Sequence, residues 1–379
     1  MDSLSLYIHY PFCASKCPYC DFNSYCNIKI EKEKLLEGYF KEFEYYSELL
    51  KKRRINTIFF GGGTPSLMSA NFLSKLFEKI NKLTNIDKNC EISLEANPNS
   101  ITFEKINDFH KIGINRLSMG VQSLYDDELK KLGRIHNSED VKSSIKIAQK
   151  IFKDSYSIDL IYTRPNQELK TWIKELKEAI DLSPFHLSLY QLIIEKGTPF
   201  YKNKIKLPND DISIEFYNTT KNILEENNIN FYEISNYAKN GYECKHNLVY
   251  WTNGEWLGIG AGAHSRINIK NKRYSIENTK DPIKWLNNCI NKGRSGKKYA
   301  LNEEEIIEEF ILMGLRIKNG INLKDIQKNI QTESLYDILN EKNIKILEQN
   351  NFLTATDKNI KIKNDGFILL NSIIEKILK

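Results

Sequence analysis

Three cysteines fall within eight residues in Cys13-Ala14-Ser15-Lys16-Cys17-Pro18-Tyr19-Cys20. Thiolates bunched on one loop select zinc, copper(I) or an iron–sulfur cluster. A structural zinc closes a tetrahedron with four ligands. Cys26 or His9 could supply the fourth, but no second ligand pair follows at finger-like spacing. Three thiolates alone suit a [4Fe–4S] cube with one iron left open, where a substrate or cofactor can chelate. The spacing favours the cluster over zinc, with plain buried cysteines third. The total of seven cysteines is odd, which in a reducing compartment points to a metal or redox site rather than a disulfide framework. A second feature is Phe60-Gly61-Gly62-Gly63-Thr64-Pro65, directly after an apolar run. Consecutive glycines permit close backbone approach and positive φ. No Lys-Ser/Thr follows and the glycines are not spaced as a dinucleotide fingerprint, so neither phosphate motif applies. A tight strand–helix turn is the plain alternative.

Hydrophobic periodicity supplies the elements that carry these residues. Short apolar runs alternate with amphipathic stretches: strands over 4–10, 57–60, 91–96, 117–121, 156–161 and 186–192, and helices over 31–52, 71–83, 103–111, 138–152, 169–182 and 212–227. Gly113 reads as a helix stop. Six strand–helix units predict an α/β fold, a parallel sheet wound by right-handed crossovers into a partial (β/α)6 barrel, with a full eight-stranded closure left open. Ligands belong at the carboxyl ends of such strands. The unusual residues collect there: Cys13–Cys20 after the first strand, Gly61–Pro65 after the second, Glu95 closing the third and Gln122 after the fourth.

Beyond 229 the pattern changes. One more strand fits 231–234, and 236–265 is rich in Gly, Asn and aromatics without a period. The polar stretch 291–298 reads as a linker. Helices over 303–318, 323–329 and 333–350, a hairpin over 352–363 around Asp357-Lys358-Asn359, and a last helix over 368–378 suggest a small α+β winged-helix-like appendage. The expected organisation is a barrel over 1–235, an extension over 236–290 and a terminal domain over 300–379.

Composition narrows the class. With 41% hydrophobic and 27% charged residues in 379, the chain is globular rather than disordered, collagen-like or coiled coil. No run of about 18 uncharged apolar residues occurs, so no membrane span is expected. Met1-Asp2-Ser3-Leu4-Ser5-Leu6 lacks a basic leader and a long apolar run, so the expected location is cytoplasmic. The formal charge of +6 comes from lysines interleaved with glutamates, as in Glu31-Lys32-Glu33-Lys34. That pattern reads as solvated helix faces, and no nucleic-acid partner is expected.

Further motifs now identify a resemblance. Tyr7-Ile8-His9-Tyr10-Pro11-Phe12-Cys13, the Cys-x3-Cys-x2-Cys spacing, Gly61-Gly62-Gly63-Thr64-Pro65, Leu94-Glu95-Ala96-Asn97-Pro98, the run Arg116–Ser123, Gly133-Arg134 and the run Ile158–Tyr162 resemble the radical S-adenosylmethionine superfamily. Within it, the chain is similar to the oxygen-independent coproporphyrinogen III oxidases and to the related HemW-type haem chaperones. The resemblance implies that Cys13, Cys17 and Cys20 bind a [4Fe–4S] cluster whose fourth iron S-adenosylmethionine chelates. It implies that Tyr7 and Tyr19 line the cofactor and that Gly62, Gly63 and Thr64 receive its methionine end. Glu95, Gln122, Arg134 and Asp159 become its polar contacts. Taken singly, Asp159 could instead cap a helix and Arg134 could pair with a neighbouring carboxylate. The implied chemistry is electron transfer into the sulfonium, giving methionine and a 5′-deoxyadenosyl radical.

Departures separate the two branches. The oxidases carry another cysteine two positions after the third cluster ligand, where this sequence has Phe22, and they have a longer segment ahead of Tyr7. Phe22 is the chaperone-like form, and both departures count against porphyrinogen decarboxylation. Cys244-Lys245-His246-Asn247-Leu248-Val249-Tyr250-Trp251 matches a pattern associated with haem in the chaperones. An imidazole can ligate haem iron, and Tyr250 and Trp251 offer flat faces to a porphyrin. Cys244 and His264 are further ligand candidates, and a hydrogen-bonded core histidine with packed aromatics is the alternative. The expectation is haem as cargo, passed to a protein acceptor that could be membrane-bound. The alternatives are porphyrinogen decarboxylation and a radical enzyme acting on RNA.

Overall fold

The computed structural model describes residues 2–183 and 185–379; Met1, counted in the leader reading, lies outside them. The strands are β1 (Asp2–Tyr10), β2 (Arg53–Gly62), β3 (Asn85–Ala96), β4 (Arg116–Gln122), β5 (Tyr156–Tyr162), β6 (His186–Gln191), β7 (Asn230–Glu233), β8 (Asn236–Ala238), β9 (Trp256–Ile259), β10 (His264–Ile269), β11 (Lys272–Glu277) and β12 (Lys297–Ala300). They form one sheet in the order β12-β11-β10-β9-β1-β2-β3-β4-β5-β6-β8-β7. β1 to β6 pair in parallel, each pair joined through at least one helix. β7 and β12 lie at opposite edges, so the expected partial barrel is open.

Side chains alternate across each strand. On β1, β4 and β5, Leu4, Leu6, Ile8, Leu117, Met119, Val121, Ile158 and Leu160 are buried in the outer core. The opposite face is polar. Ser118 Oγ donates to both Asp159 oxygens at 3.1 Å, and Ser157 Oγ lies 3.1 Å from Ser188 Oγ, so hydroxyls bridge neighbouring strands inside the barrel. The sheet is thus apolar towards its helices and polar towards its lumen.

Helix ends follow local chemistry. Asn137 and Asp140 form a capping box at the start of helix Ser138–Phe152, and Gly113, at φ 132, ends helix Phe103–Ile112 as expected. The helix expected over 31–52 is divided at Tyr46, whose ring is buried, into Lys32–Tyr45 and Ser47–Leu50.

Three expectations need correction. The strand expected over 231–234 is present as β7, but it joins through β8, which runs antiparallel to β6. The aperiodic stretch 236–265 holds β8, helix Lys245–Trp251 and β9, and β9 pairs in parallel with β1. The stretch read as a linker instead ends helix Pro282–Lys292 at the left-handed Gly293 and then forms β12. Every residue of β12 is exposed, and its lysines suit an edge that must repel other strands.

Beyond β12 lie helix Glu303–Gly314 and a small antiparallel sheet of β13 (Ile321–Asn322), β14 (Leu353–Ala355) and β15 (Asn359–Ile362), in the order β13-β15-β14. The expected hairpin is β14–β15. The helix expected over 333–350 is two helices, because Leu339 is extended and Asn340 caps Glu341–Gln349 through the Asn343 N–H. One apolar core runs from Leu4 to Ile377. No helix among the described residues is long and apolar enough to cross a membrane.

Candidate cluster and nucleotide site

The cysteine loop leaves the carboxyl end of β1 and folds back on itself. Cys13 N–H donates to Tyr25 O at 3.0 Å and Tyr25 N–H to Pro11 O at 2.8 Å, while Lys16 Nζ donates to Phe22 O at 2.9 Å. Two glycine sites hold it from outside. Gly63 N–H donates to Tyr10 O and Thr64 N–H to Phe12 O, at 2.7 and 2.8 Å. A Cβ on Gly63 would stand 2.6 Å from Phe12 O, and one on Gly133 would stand 2.4 Å from Pro18 Cδ. Only bare backbone can approach the loop so closely.

Cys13, Cys17 and Cys20 are partly exposed and all face one cavity of about 420 Å³. Thr64 Oγ1 lies 3.5 Å from Cys13 Sγ, and Arg134 Nη1 donates to Cys17 Sγ at 3.3 Å. Among the described residues, no three His, Cys, Asp or Glu side chains converge to hold a single metal ion. The thiols open on a shared space instead of a point, as a multi-iron cluster requires when each thiolate takes its own iron. Neither candidate fourth ligand faces that space. Cys26 is exposed outside the cavity wall, and His9 is buried with its nitrogens 2.9 Å from Tyr7 OH and Asn23 O.

The facing wall comes from the ends of β2 to β6. Tyr19, Gly62, Gly63, Thr64, Glu95, Gln122, Arg134 and Asp159, the contacts implied by the resemblance, all line the cavity. Gly62 has φ 112, and its N–H donates to Glu95 Oε2 at 3.0 Å. With the motif's N–H groups so engaged, the part it can offer a ligand is carbonyl oxygen. Burial, then the charge of Asp159, pushes Glu95 up to about 8; burial pushes Asp159 up to about 6 against the pull of its serine donors. Asp159 therefore caps no helix but sits in a hydroxyl cage. Arg134 pairs with no carboxylate among the described residues: Nη2 donates to Asn97 Oδ1 at 2.6 Å and to Gly120 O at 2.8 Å. Gln122 has φ 69, and its buried Oε1 has no hydrogen-bond partner among the described residues. Two crowded carboxyls and an unmatched amide oxygen suit a ligand with positive charge and hydroxyl donors. Tyr7 lies outside this wall, its hydroxyl turned to His9.

Two further residues line the cavity without a role implied by the resemblance. Asn97 joins Arg134 to Thr64 Oγ1, at 3.3 Å, and its signal was its place two residues after Glu95. Tyr190 lines the cavity from β6 and is 43% exposed; the rule that sites gather at strand ends could have found it. Phe22 and Ile193, 60% and 63% exposed, give the cavity an apolar rim.

His246, Tyr250 and Trp251 are elsewhere. Helix Lys245–Trp251 starts against Glu91 on β3, whose oxygens accept from Lys245 N and His246 N at 3.0 Å each. His246 lies beside Thr57 and Phe59, about 10–16 Å down β2 from Gly62 by strand rise, with its ring 6.5 Å from that of Tyr7. Its Nδ1 is 2.7 Å from Thr57 Oγ1 and its Nε2 2.8 Å from Tyr250 OH, and its ring stacks on Phe59 at 5.0 Å. Burial lowers it to about 3. The three residues are not brought to the cavity. Of the weaker candidates, Cys244 is buried with Sγ 3.4 Å from Glu91 Oε1, and His264 is exposed at the start of β10.

The Radical SAM superfamily profile matches residues 7–189 and the HemN C-terminal domain profile residues 301–369. A heme chaperone HemW of Buchnera aphidicola (from Acyrthosiphon pisum) is 37% identical over 380 residues, covering 100% of this chain and 99% of its own. The chain belongs to the HemW family of radical SAM proteins. The HemW of Escherichia coli K12 is 38% identical over 283 residues, 72% of each chain. Also similar is the mitochondrial radical S-adenosyl methionine domain-containing protein 1 of Danio rerio, 33% identical over 99% of this chain and 86% of that one. The solved coproporphyrinogen III oxidase HemN of E. coli superposes with a TM-score of 0.83 at 22% identity, covering 99% of this chain and 89% of its own. That likeness establishes a shared fold for the HemW-family chain, barrel and terminal domain together.

Proposed function

We propose that this protein binds haem and passes it to a protein acceptor, holding a [4Fe–4S] cluster and S-adenosylmethionine in the cavity at the barrel mouth. The observation that carries the cofactor reading is the pairing of three thiols with an opposite wall whose polar groups are incompletely satisfied. Cys13, Cys17 and Cys20 would ligate three irons, leaving one open. Glycine-motif carbonyls would accept from the amino group of the nucleotide, and Gln122 Oε1, Glu95 and Asp159 would accept from its hydroxyls and balance its charge. Arg134 would hold Cys17 by a charge-assisted hydrogen bond. When bound, the cluster supplies an electron to the sulfonium. Tyr19 and the apolar rim of Phe22 and Ile193 would restrict water.

Family membership carries the haem reading. His246, Tyr250 and Trp251 belong to it in a specific form: His246 can ligate iron only after its Nε2 leaves Tyr250 or its Nδ1 leaves Thr57. Haem binding there requires helix Lys245–Trp251 to shift. We place the protein in the cytoplasm, with the acceptor's membrane association open.

Anaerobic reconstitution tests the proposal. The expected outcome is a cubane absorption spectrum with matching iron and sulfide, and a saturable Soret band on haem titration that shifts in His246→Ala. Uptake of one tetrahedral zinc without a cluster spectrum overturns the cofactor reading. Conversion of coproporphyrinogen III with consumption of S-adenosylmethionine replaces the chaperone reading by the oxidase.

A further inference from the structure

At the end of β4 and in the loop after β5, non-glycine residues adopt left-handed backbone: Gln122 at φ 69, Thr163 at φ 54 and Asn166 at φ 58. Such residues persist only where their surroundings fix them. Between their two loops lies a buried ionic group that the cavity chemistry does not use. Arg164, 1% exposed, ion-pairs through Nη2 with Glu175, which is fully buried on helix Leu169–Leu182. Its Nε lies 3.0 Å from Glu128 Oε2 on helix Asp126–Lys131, an ion pair by distance in which neither atom makes a hydrogen bond among the described residues. Glu175 Oε1 also accepts from Ser123 Oγ and, at 2.8 Å, from Leu124 N–H.

These contacts grip one segment at both ends. Ser123 and Leu124 directly follow Gln122, so Glu175 fixes the residue whose amide oxygen is unmatched in the cavity. Glu128 starts the turn that ends at Gly133, against Pro18, and at Arg134, whose N–H donates to Leu129 O at 2.9 Å. Arg134 in turn reaches Cys17. The Arg164–Glu175–Glu128 group thus touches both the backbone next to a cavity-lining residue and the helix that leads to a residue in contact with the cysteine loop.

We propose that Arg164, with Glu175 and Glu128, is a positioning group for nucleotide binding: it holds Gln122 and Arg134 in the geometry that receives S-adenosylmethionine. The inference rests on the reading of the cavity given above. Arg164 touches neither nucleotide nor cluster, and it acts through the segment 122–134.

The test uses the full-length protein with reconstituted cluster. Arg164→Met alone would strand the Glu175 charge in the core, so the main variant is Arg164→Met/Glu175→Met, because replacing a buried ion pair with apolar side chains is often tolerated. The expected result is retained iron and sulfide, a cooperative melting transition somewhat below that of wild type because Ser123 and the Leu124 N–H lose their acceptor, and S-adenosylmethionine affinity about tenfold weaker or worse. Arg164→Lys keeps the charge against Glu175 without spanning to Glu128, and its affinity is expected between the two. Ser123→Ala, which removes one donor to Glu175, shifts affinity in the same direction by less. Equal affinity in wild type, the folded Ser123→Ala and the folded double variant overturns the clamp and leaves the cavity reading standing. A fully loaded wild type without affinity for the nucleotide overturns both.

Discussion

Replacing Glu95 by glutamine swaps a buried carboxyl for an amide of the same shape whose oxygen can still accept from the Gly62 N–H, now at 3.0 Å. Burial and the Asp159 charge raise Glu95 from 4.5 to about 8. In the unfolded chain the group titrates near its ordinary value, so between the two values the folded protein binds the proton more tightly. Stability from this group is therefore fully present below about pH 4 and lost as pH rises towards 8. At about 1.4 kcal/mol per pKa unit, the loss by pH 7 is at most about 3 kcal/mol. Asp159, raised to about 6, shares the site, so the measured slope belongs to the pair. The assay is urea unfolding of ligand-free wild type and Glu95→Gln in parallel from about pH 5 to about pH 8. The variant is expected to gain on wild type by about 1 kcal/mol per pH unit and to be the more stable protein at the alkaline end. A difference that is flat with pH, or that favours the variant most at pH 5, would refute the assignment of a crowded, desolvated carboxyl.

His246→Ala removes a stacked, doubly hydrogen-bonded ring and should cost about 2–4 kcal/mol of unfolding free energy while leaving iron and sulfide content unchanged. Because burial lowers His246 to about 3, the stability it contributes is present above its unfolded pKa and lost as pH falls from about 6.5 towards 3; that acid loss should shrink in the variant, read by the same unfolding curves. Gly62→Ala places a Cβ 2.5 Å from the His9 ring at φ 112, and a loss of at least about 1–3 kcal/mol, measured by thermal unfolding, is expected. Arg134→Gln loses the donor to Cys17 and one tie to Asn97, so iron should be released faster under anaerobic dialysis and nucleotide affinity should fall about tenfold.

The strand–helix alternation was legible because each unit pairs an apolar run with an amphipathic stretch, and helices 138–152 and 169–182 were read to the residue. The convergence of the motifs was legible for the same reason: parallel strands put their carboxyl ends together, so segments far apart in sequence had to meet, while the roles of single residues there came from the family resemblance. What escaped was tertiary. β9 is four residues long, and nothing in Trp256–Ile259 reveals that its partner is β1. β12 looks like a linker because an edge strand exposed on both sides carries linker-like residues. The destination of His246 was also hidden, since an imidazole aimed at a ligand and one clasped by Thr57 and Tyr250 have the same local sequence. Arg164 was invisible because a buried arginine is recognised by its carboxylate partners, and Glu128 and Glu175 come to it from two different helices.

The pairing of β9 with β1 bears on biosynthesis. The strand that launches the cysteine loop has β2 on one side soon after it is made, but its other edge stays bare until about 250 further residues have been translated. At about 5–20 residues per second, that interval is roughly ten to fifty seconds. During it, a nascent chain exposes an unpaired β edge beside three free thiols, while Asn23, which later donates to Ala261 O, has nothing to anchor it. The cysteine loop thus gains its finished support only once about two thirds of the polypeptide has left the ribosome, and any ligand that needs that support must wait until then.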